Sequence, residues 1–227
     1  GLEGLLACQF DTGASLRKNK PMQLTTPSLG SGLRTFGATA ILLSAGLLYQ
    51  SQALSAEPDW SIGVYGGKFY DTEPAGLTQG KATFMNHHML AVTGTKTLWR
   101  SESFPMSLEL DAMIGQQFGM DSLTEIAFAP VLRWSSFPWK DTLQTDLRLG
   151  PLGFSYTSKV SSLELGPEGK GSQTLNFLMI ELAFSRPKDP SREVFVRLHH
   201  RCAVYDLLNN YGANGEDFLS FGYRVRF

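Results

Sequence analysis

A chain of 227 residues with a formal net charge of −1 holds one ordinary domain and carries no field suited to nucleic acid. Hydrophobic residues make up 42% and aromatics 11%, yet mean hydropathy is only −0.11, and no run is long and charge-free enough for a helix across a bilayer. With two cysteines, Cys8 and Cys202, there is neither a disulfide framework nor a cysteine pair at metal-ligand spacing.

The one continuous apolar run is FGATAILLSAGLLY, Phe36–Tyr49. Arg34 precedes it and the small-residue segment SQALSA, Ser51–Ala56, follows, which is the layout of a secretory signal peptide. Ala53 and Ala56 are both suitable cleavage points, and Met22 sits where such a peptide starts. Residues 1–21 therefore read as a mis-called start or an unstructured extension, 22–56 as the signal peptide and 57–227 as the mature chain. Removal of the leader leaves Cys202 as the sole cysteine, with no intramolecular disulfide.

In the mature chain, period-two alternation predicts about eight strands separated by turn residues. They run over Trp60–Tyr70, Thr83–Trp99, Pro105–Phe118, Leu123–Ser136, Thr142–Tyr156, Leu175–Arg186, Glu193–Val204 and the last ten residues. In the third, Leu108, Leu110, Ala112 and Ile114 oppose Glu109 and Asp111. In the last, Leu219, Phe221, Tyr223, Val225 and Phe227 oppose Ser220, Gly222, Arg224 and Arg226. Connections are short at Arg100–Phe104, Phe137–Asp141 and Arg186–Ser191, and longer at Asp71–Ala82, Tyr156–Thr174 and Asp206–Glu216. Short turns at one rim and long loops at the other are the habit of outer-membrane barrels.

The polar faces collect Glu109, Asp111, Glu125, Asp146 and Glu181 with Arg133, Arg148, Arg197, Arg224 and Arg226. Five acids and five arginines pair well inside a small barrel, whose lumen is filled by side chains rather than open. A soluble sandwich would need a second apolar layer over the greasy face, and the chain has no spare strand or amphipathic helix to supply it. The expected fold is all-β: an eight-stranded antiparallel up-and-down transmembrane β-barrel behind a signal peptide, exported to the outer membrane of a Gram-negative cell. Trp60, Trp99, Trp134 and Trp139 lie near predicted strand ends and read as interfacial anchors.

The seventh strand carries the chemistry. Val194, Val196, Leu198, His200 and Cys202 share the outward parity, while Glu193, Arg197, His199 and Arg201 share the inward one. An imidazole and a thiol on an apolar wall call for a partner. A Gly/Asn-rich turn follows, then Glu216 and Asp217, which the returning strand brings back toward His200. Nucleophile, base and orienting carboxylate together follow the logic of a catalytic triad.

The run R-x-H-H-R-C, the Gly/Asn turn with its acid and the closing F-x-S-F-G-Y-R-x-R-F resemble the C-terminus of the outer-membrane lipid A 3-O-deacylase (PagL-like) family. The resemblance is specific over the last 35 or so residues and architectural upstream. It implies an eight-stranded barrel with a Ser-His-Glu hydrolase site on its outer wall, within reach of lipid A. By position the family's His falls on His200, its nucleophilic Ser on Cys202 and its Glu on Glu216, with Asp217 as the alternative acid. Asn214 or backbone amides near the turn are the oxyanion candidates. This chain departs from the family in carrying Cys in place of Ser. A Cys beside a His is a nucleophile when its pKa is lowered and an apolar filler otherwise.

The expected function is an acyl-ester hydrolase removing an acyl chain from lipid A, with lipopolysaccharide and membrane lipid as partners, as a monomer or dimer. The alternative is a catalytically inactive structural or lipid-binding barrel of the same family; a small-solute carrier is disfavoured by the charged lumen. His87-His88 and His199-His200 do not make a joint metal site, since adjacent strand residues face opposite ways. No cofactor and no metal are expected.

Overall fold

The strands observed are β1 (Trp60–Tyr70), β2 (Phe84–Arg100), β3 (Met106–Phe118), β4 (Leu123–Trp134), β5 (Gln144–Gly150), β6 (Phe154–Thr157), β7 (Thr174–Arg186), β8 (Asp189–Cys202) and β9 (Glu216–Arg226). They come from a computed structural model that describes residues 58–72, 74–203, 211 and 215–227. The predicted signal peptide and the extension before it lie outside the described residues. Neighbours pair antiparallel around the sheet, and β1 closes on β9 through a register running from Ser61–Arg226 to Phe69–Phe218.

Both β5 and β6 pair with β4 on one side and β7 on the other, so they occupy one position in the wall. The result is an eight-stranded closed barrel, with the predicted fifth strand broken at Pro151–Gly153. The break has a chemical cause. On β4, Glu125–Phe128 pair with β6 and Leu132–Trp134 with β5, leaving Ala129–Val131 opposite the gap. Pro130 and Pro151 flank it, and neither has an N–H to give. The side chain of Asn176, on β7, repairs the ladder. It accepts from the Gly153 amide at 2.9 Å and donates to the Pro151 carbonyl at 3.3 Å.

The wall is apolar outside, where Ile62, Val64, Leu90, Leu110, Ile114, Ile126 and Phe221 are exposed. Inside, charge meets charge. Glu181 takes Arg148 Nη1 and Arg224 Nη2, each at 2.6 Å, on one oxygen, and Arg197 Nη2 at 2.6 Å on the other. Arg148 continues to Glu109 at 2.8 Å and Asp111 at 3.1 Å, and Arg133 bonds Asp146 and Glu193. These groups are almost wholly buried, so each is tolerable only through its partners. Met89, Met113, Val131, Phe177, Met179, Phe195 and Phe218 fill the lumen beside this network.

At the rim with the long loops a second polar cluster closes the mouth. His199 bridges Tyr65 and Glu125, each at 3.1 Å, as an interior hydrogen-bonding residue. The loop after β6 drops in: Glu164 pairs with Arg201 at 2.7 Å, Ser161 Oγ bonds Glu216, and the Ser162 amide donates to Asp121 at 2.8 Å. The opposite rim holds the short turns, among them a two-residue link at Pro187-Lys188. Trp60, Trp99, Trp134 and Trp139 all gather at that rim.

Candidate active site on the outer wall

Strand parity decides what this site contains. On β8 the side chains of Glu193, Phe195, Arg197, His199 and Arg201 point into the lumen, which leaves His200 and Cys202 on the outer face. β9 runs back beside it with His200 opposite Asp217 and Arg201 opposite Glu216. Asp217 therefore shares the outer face with His200, and its Oδ1 lies 2.7 Å from His200 Nδ1.

Of the two candidate acids it is therefore Asp217, the alternative, that the fold brings to His200, while Glu216 lies away from it. Glu216 falls on the inward parity, where it bonds Ser161 and lies 3.8 Å from Arg201. A carboxylate acceptor at Nδ1 fixes the tautomer with its proton there, leaving Nε2 as the basic nitrogen. Gly215, just before β9, packs so close to β8 that a Cβ would meet the Arg201 carbonyl oxygen at 1.8 Å. Only a glycine admits that approach.

Cys202 lies two residues after His200 on the same face and is 4% exposed. Its sulfur is disulfide-bonded in the full-length chain, whereas the expectation of a lone thiol concerned the chain after removal of the leader. Asn214, the oxyanion candidate, also lies outside the described residues.

Two residues that sequence reasoning missed complete the row. Tyr70, at the end of β1, donates from its hydroxyl to Asp217 Oδ1 at 3.4 Å. Asn176 on β7 places Nδ2 3.7 Å from Cys202 Sγ. Both were findable as polar groups on an outward parity: Tyr70 continues Ile62, Val64 and Lys68, and Asn176 precedes Leu178 and Ile180. The β1–β9 register, unbroken through Phe69–Phe218, continues to bring Tyr70 opposite Asp217. Asn176, Cys202, His200, Asp217 and Tyr70 then form an oblique polar row across four neighbouring strands, each at most 4% exposed. The two other histidines go separate ways, His87 inward to Gln117 at 3.1 Å and His88 outward, stacked on Phe118. Among the described residues no cluster of three or more His, Cys, Asp or Glu is arranged to hold a metal.

No family model matches the chain, and no curated protein sequence matches it. Solved structures do. The outer-membrane enzyme PagL superposes with a TM-score of 0.51 at 16% identity, over 74% of this chain and 99% of PagL. Neisserial surface protein A (NspA) does so with a TM-score of 0.43 at 14% identity, over 74% of this chain and 97% of its own. The N-terminal barrel domain of Pseudomonas aeruginosa OprF gives 0.44 at 10% identity, over 75% and 98%. At these identities the likeness is one of fold: the chain has the fold of bacterial outer-membrane β-barrels.

Proposed function

We propose that this protein is an outer-membrane acyl-ester hydrolase of the lipid A deacylase type, acting from its outer wall. The observation that carries the reading is the 2.7 Å contact between His200 and Asp217 on the outer face, at the long-loop rim and beside Cys202. A base held by a carboxylate has no structural task on an apolar wall, where a hydrocarbon side chain is cheaper.

The reaction follows from the order of the groups. In the processed chain, where Cys202 is the sole cysteine, His200 Nε2 takes the proton of its thiol, and Asp217 stabilises the imidazolium that forms. The thiolate attacks the ester carbonyl, and collapse of the tetrahedral adduct expels the alcohol with that proton, leaving an S-acyl enzyme. Water, deprotonated by the same imidazole, then releases the fatty acid and restores the thiol. Tyr70 donates to the same Asp217 oxygen that meets His200 and is a positioning residue.

A second reading has its own support. Cys replaces the serine of the resembling hydrolases and its side chain is almost wholly buried, which suits a lipid-binding barrel without turnover. The deciding experiment is mass spectrometry of lipid A from outer membranes with wild type, His200→Ala, Cys202→Ala and Asp217→Asn, with and without a membrane-permeant reductant. Loss of one acyl chain with wild type and with none of the variants supports the hydrolase, and dependence on reductant identifies the thiol as its nucleophile. Unchanged lipid A in every arm, with the barrels correctly inserted, leaves the lipid-binding reading.

A further inference from the structure

The outer wall carries a concavity of about 660 Å³ around the β1–β2 and β1–β9 seams. It is an open groove on the wall, not an enclosed cavity. Its cause is a single missing side chain. Gly66 has the outward parity of Ile62 and Val64, and its direct cross-strand neighbours are Leu90 on one side and Phe221 on the other. Both neighbours are more than 60% exposed and stand as walls over a floor with no side chain. The result is an apolar slot in the wall.

One step nearer the long-loop rim the chemistry changes. Lys68 sits directly between His88 and Leu219. Its ammonium has no ion pair among the described residues, and it is exposed. His88 is held flat against Phe118, with ring centroids 5.7 Å apart, which aims the imidazole edge along the wall beside Lys68. A cation without a carboxylate on an apolar barrel face is costly unless an anion meets it. A slot for hydrocarbon capped by an ammonium and an imidazole matches one kind of molecule, an acyl chain below a phosphate.

We propose that Gly66 opens a binding slot for one acyl chain of a phosphorylated membrane lipid, whose phosphate is held by Lys68 and His88. Leu219 joins this slot to the polar row, since it pairs with Lys68 on β1 and with Leu198 on β8 and stands two residues from Asp217. The slot stands whether or not His200 hydrolyses anything.

Its geometry makes it testable without harming the fold. A Cβ on Gly66 would find nothing nearer than the Met89 carbonyl oxygen at 3.7 Å and Leu90 Cδ1 at 4.0 Å, so the backbone accepts a side chain there and Gly66→Val fills the slot. The full barrel, in the His200→Ala background so that no probe is consumed, is examined by native mass spectrometry in a non-ionic detergent. The probes are didecanoyl phosphatidic acid, didecanoyl phosphatidylcholine and inorganic phosphate. One retained phosphatidic acid, at least tenfold less of it in Gly66→Val, and loss of its advantage over phosphatidylcholine in Lys68→Gln/His88→Gln support the slot. Equal retention by folded Gly66→Val, no preference for phosphatidic acid in the parent, or full competition by inorganic phosphate alone overturns it. Heat-modifiable gel mobility verifies that each variant is folded.

Discussion

Replacing Glu181 by Gln tests the lumen at its most connected point. The carboxylate lies among three guanidiniums, from Arg148, Arg197 and Arg224, with contacts of 2.6–2.7 Å. Around it the account balances: Glu109, Asp111, Asp146, Glu181 and Glu193 face Arg133, Arg148, Arg197, Arg224 and Arg226. Charged hydrogen bonds at about 1.5–3 kcal/mol each would sum to roughly 6–12 kcal/mol over four contacts. They share one charge, however, and are not additive. The relevant figure is the cost of stranding a buried partner, about 3–5 kcal/mol. Glutamine keeps one acceptor oxygen, so the expected loss is near the lower end, about 3 kcal/mol. Urea unfolding of barrels folded into lipid vesicles, followed by gel mobility, reads it as a lowered midpoint with unchanged slope. A change under about 0.5 kcal/mol would mean that water reaches Glu181, and the packed-lumen argument would be wrong.

Three further outcomes follow from other regions. Asp217→Asn is expected to lower ester hydrolysis at least ~100-fold, while Glu216→Gln stays within a few-fold; a reversed order in deacylation assays would sink the assignment of the acid. Gly119 has φ +119° and a Cβ there would meet the Asn86 carbonyl oxygen at 2.3 Å, so Gly119→Ala should cost about 1–3 kcal/mol in urea unfolding. The seating of loop 158–173 should depend on pH. Burial raises the Glu164 pKa well above its ordinary 4.5, with Glu216 and Glu125 adding to it against Arg201, so its contribution is full below 4.5 and fades as pH rises through the raised value. Asp121 goes the other way: against its burial, Lys159 and the amides of Ser162 and Ser122 hold it at about 2, so its contribution is present above its ordinary 3.8 and lost as pH falls toward 2. Hydrogen-exchange protection of the loop, corrected for intrinsic rates, should therefore peak near about pH 4, with the alkaline side flattened in Glu164→Gln. A flat profile in the wild type would contradict this.

Alternation made most of the barrel legible. β1 spans Trp60–Tyr70 as predicted, and β2, β3, β4 and β7 each begin within one residue of expectation. Outward positions there are mostly apolar and the inward ones hold the charged groups among small and apolar residues, so periodicity carries much of the signal. The break in the fifth strand was not visible in that pattern, because it arises from Pro130 meeting Pro151 across strands, a coincidence of register. The choice of acid was legible by one rule and obscured by another. Carrying Leu219, Phe221 and Tyr223 back one step puts Asp217 outside and Glu216 inside, whereas spacing by resemblance favours Glu216. Tyr70 shares the outward parity, but its meeting with Asp217 depends on β1 closing the barrel against β9, a long-range pairing that alternation within one strand does not reveal.

The gathering of all four tryptophans at the short-turn rim makes the barrel its own depth gauge. Every indole in the described wall reports on a single interface, and none on the rim that bears His200 and Asp217. Intrinsic emission thus measures how that one edge settles into a bilayer, free of signal from the opposite mouth. Quenchers confined to one side of a vesicle would reveal which way the molecule entered, and lipids added to the outer wall near Gly66 would do so in optical silence.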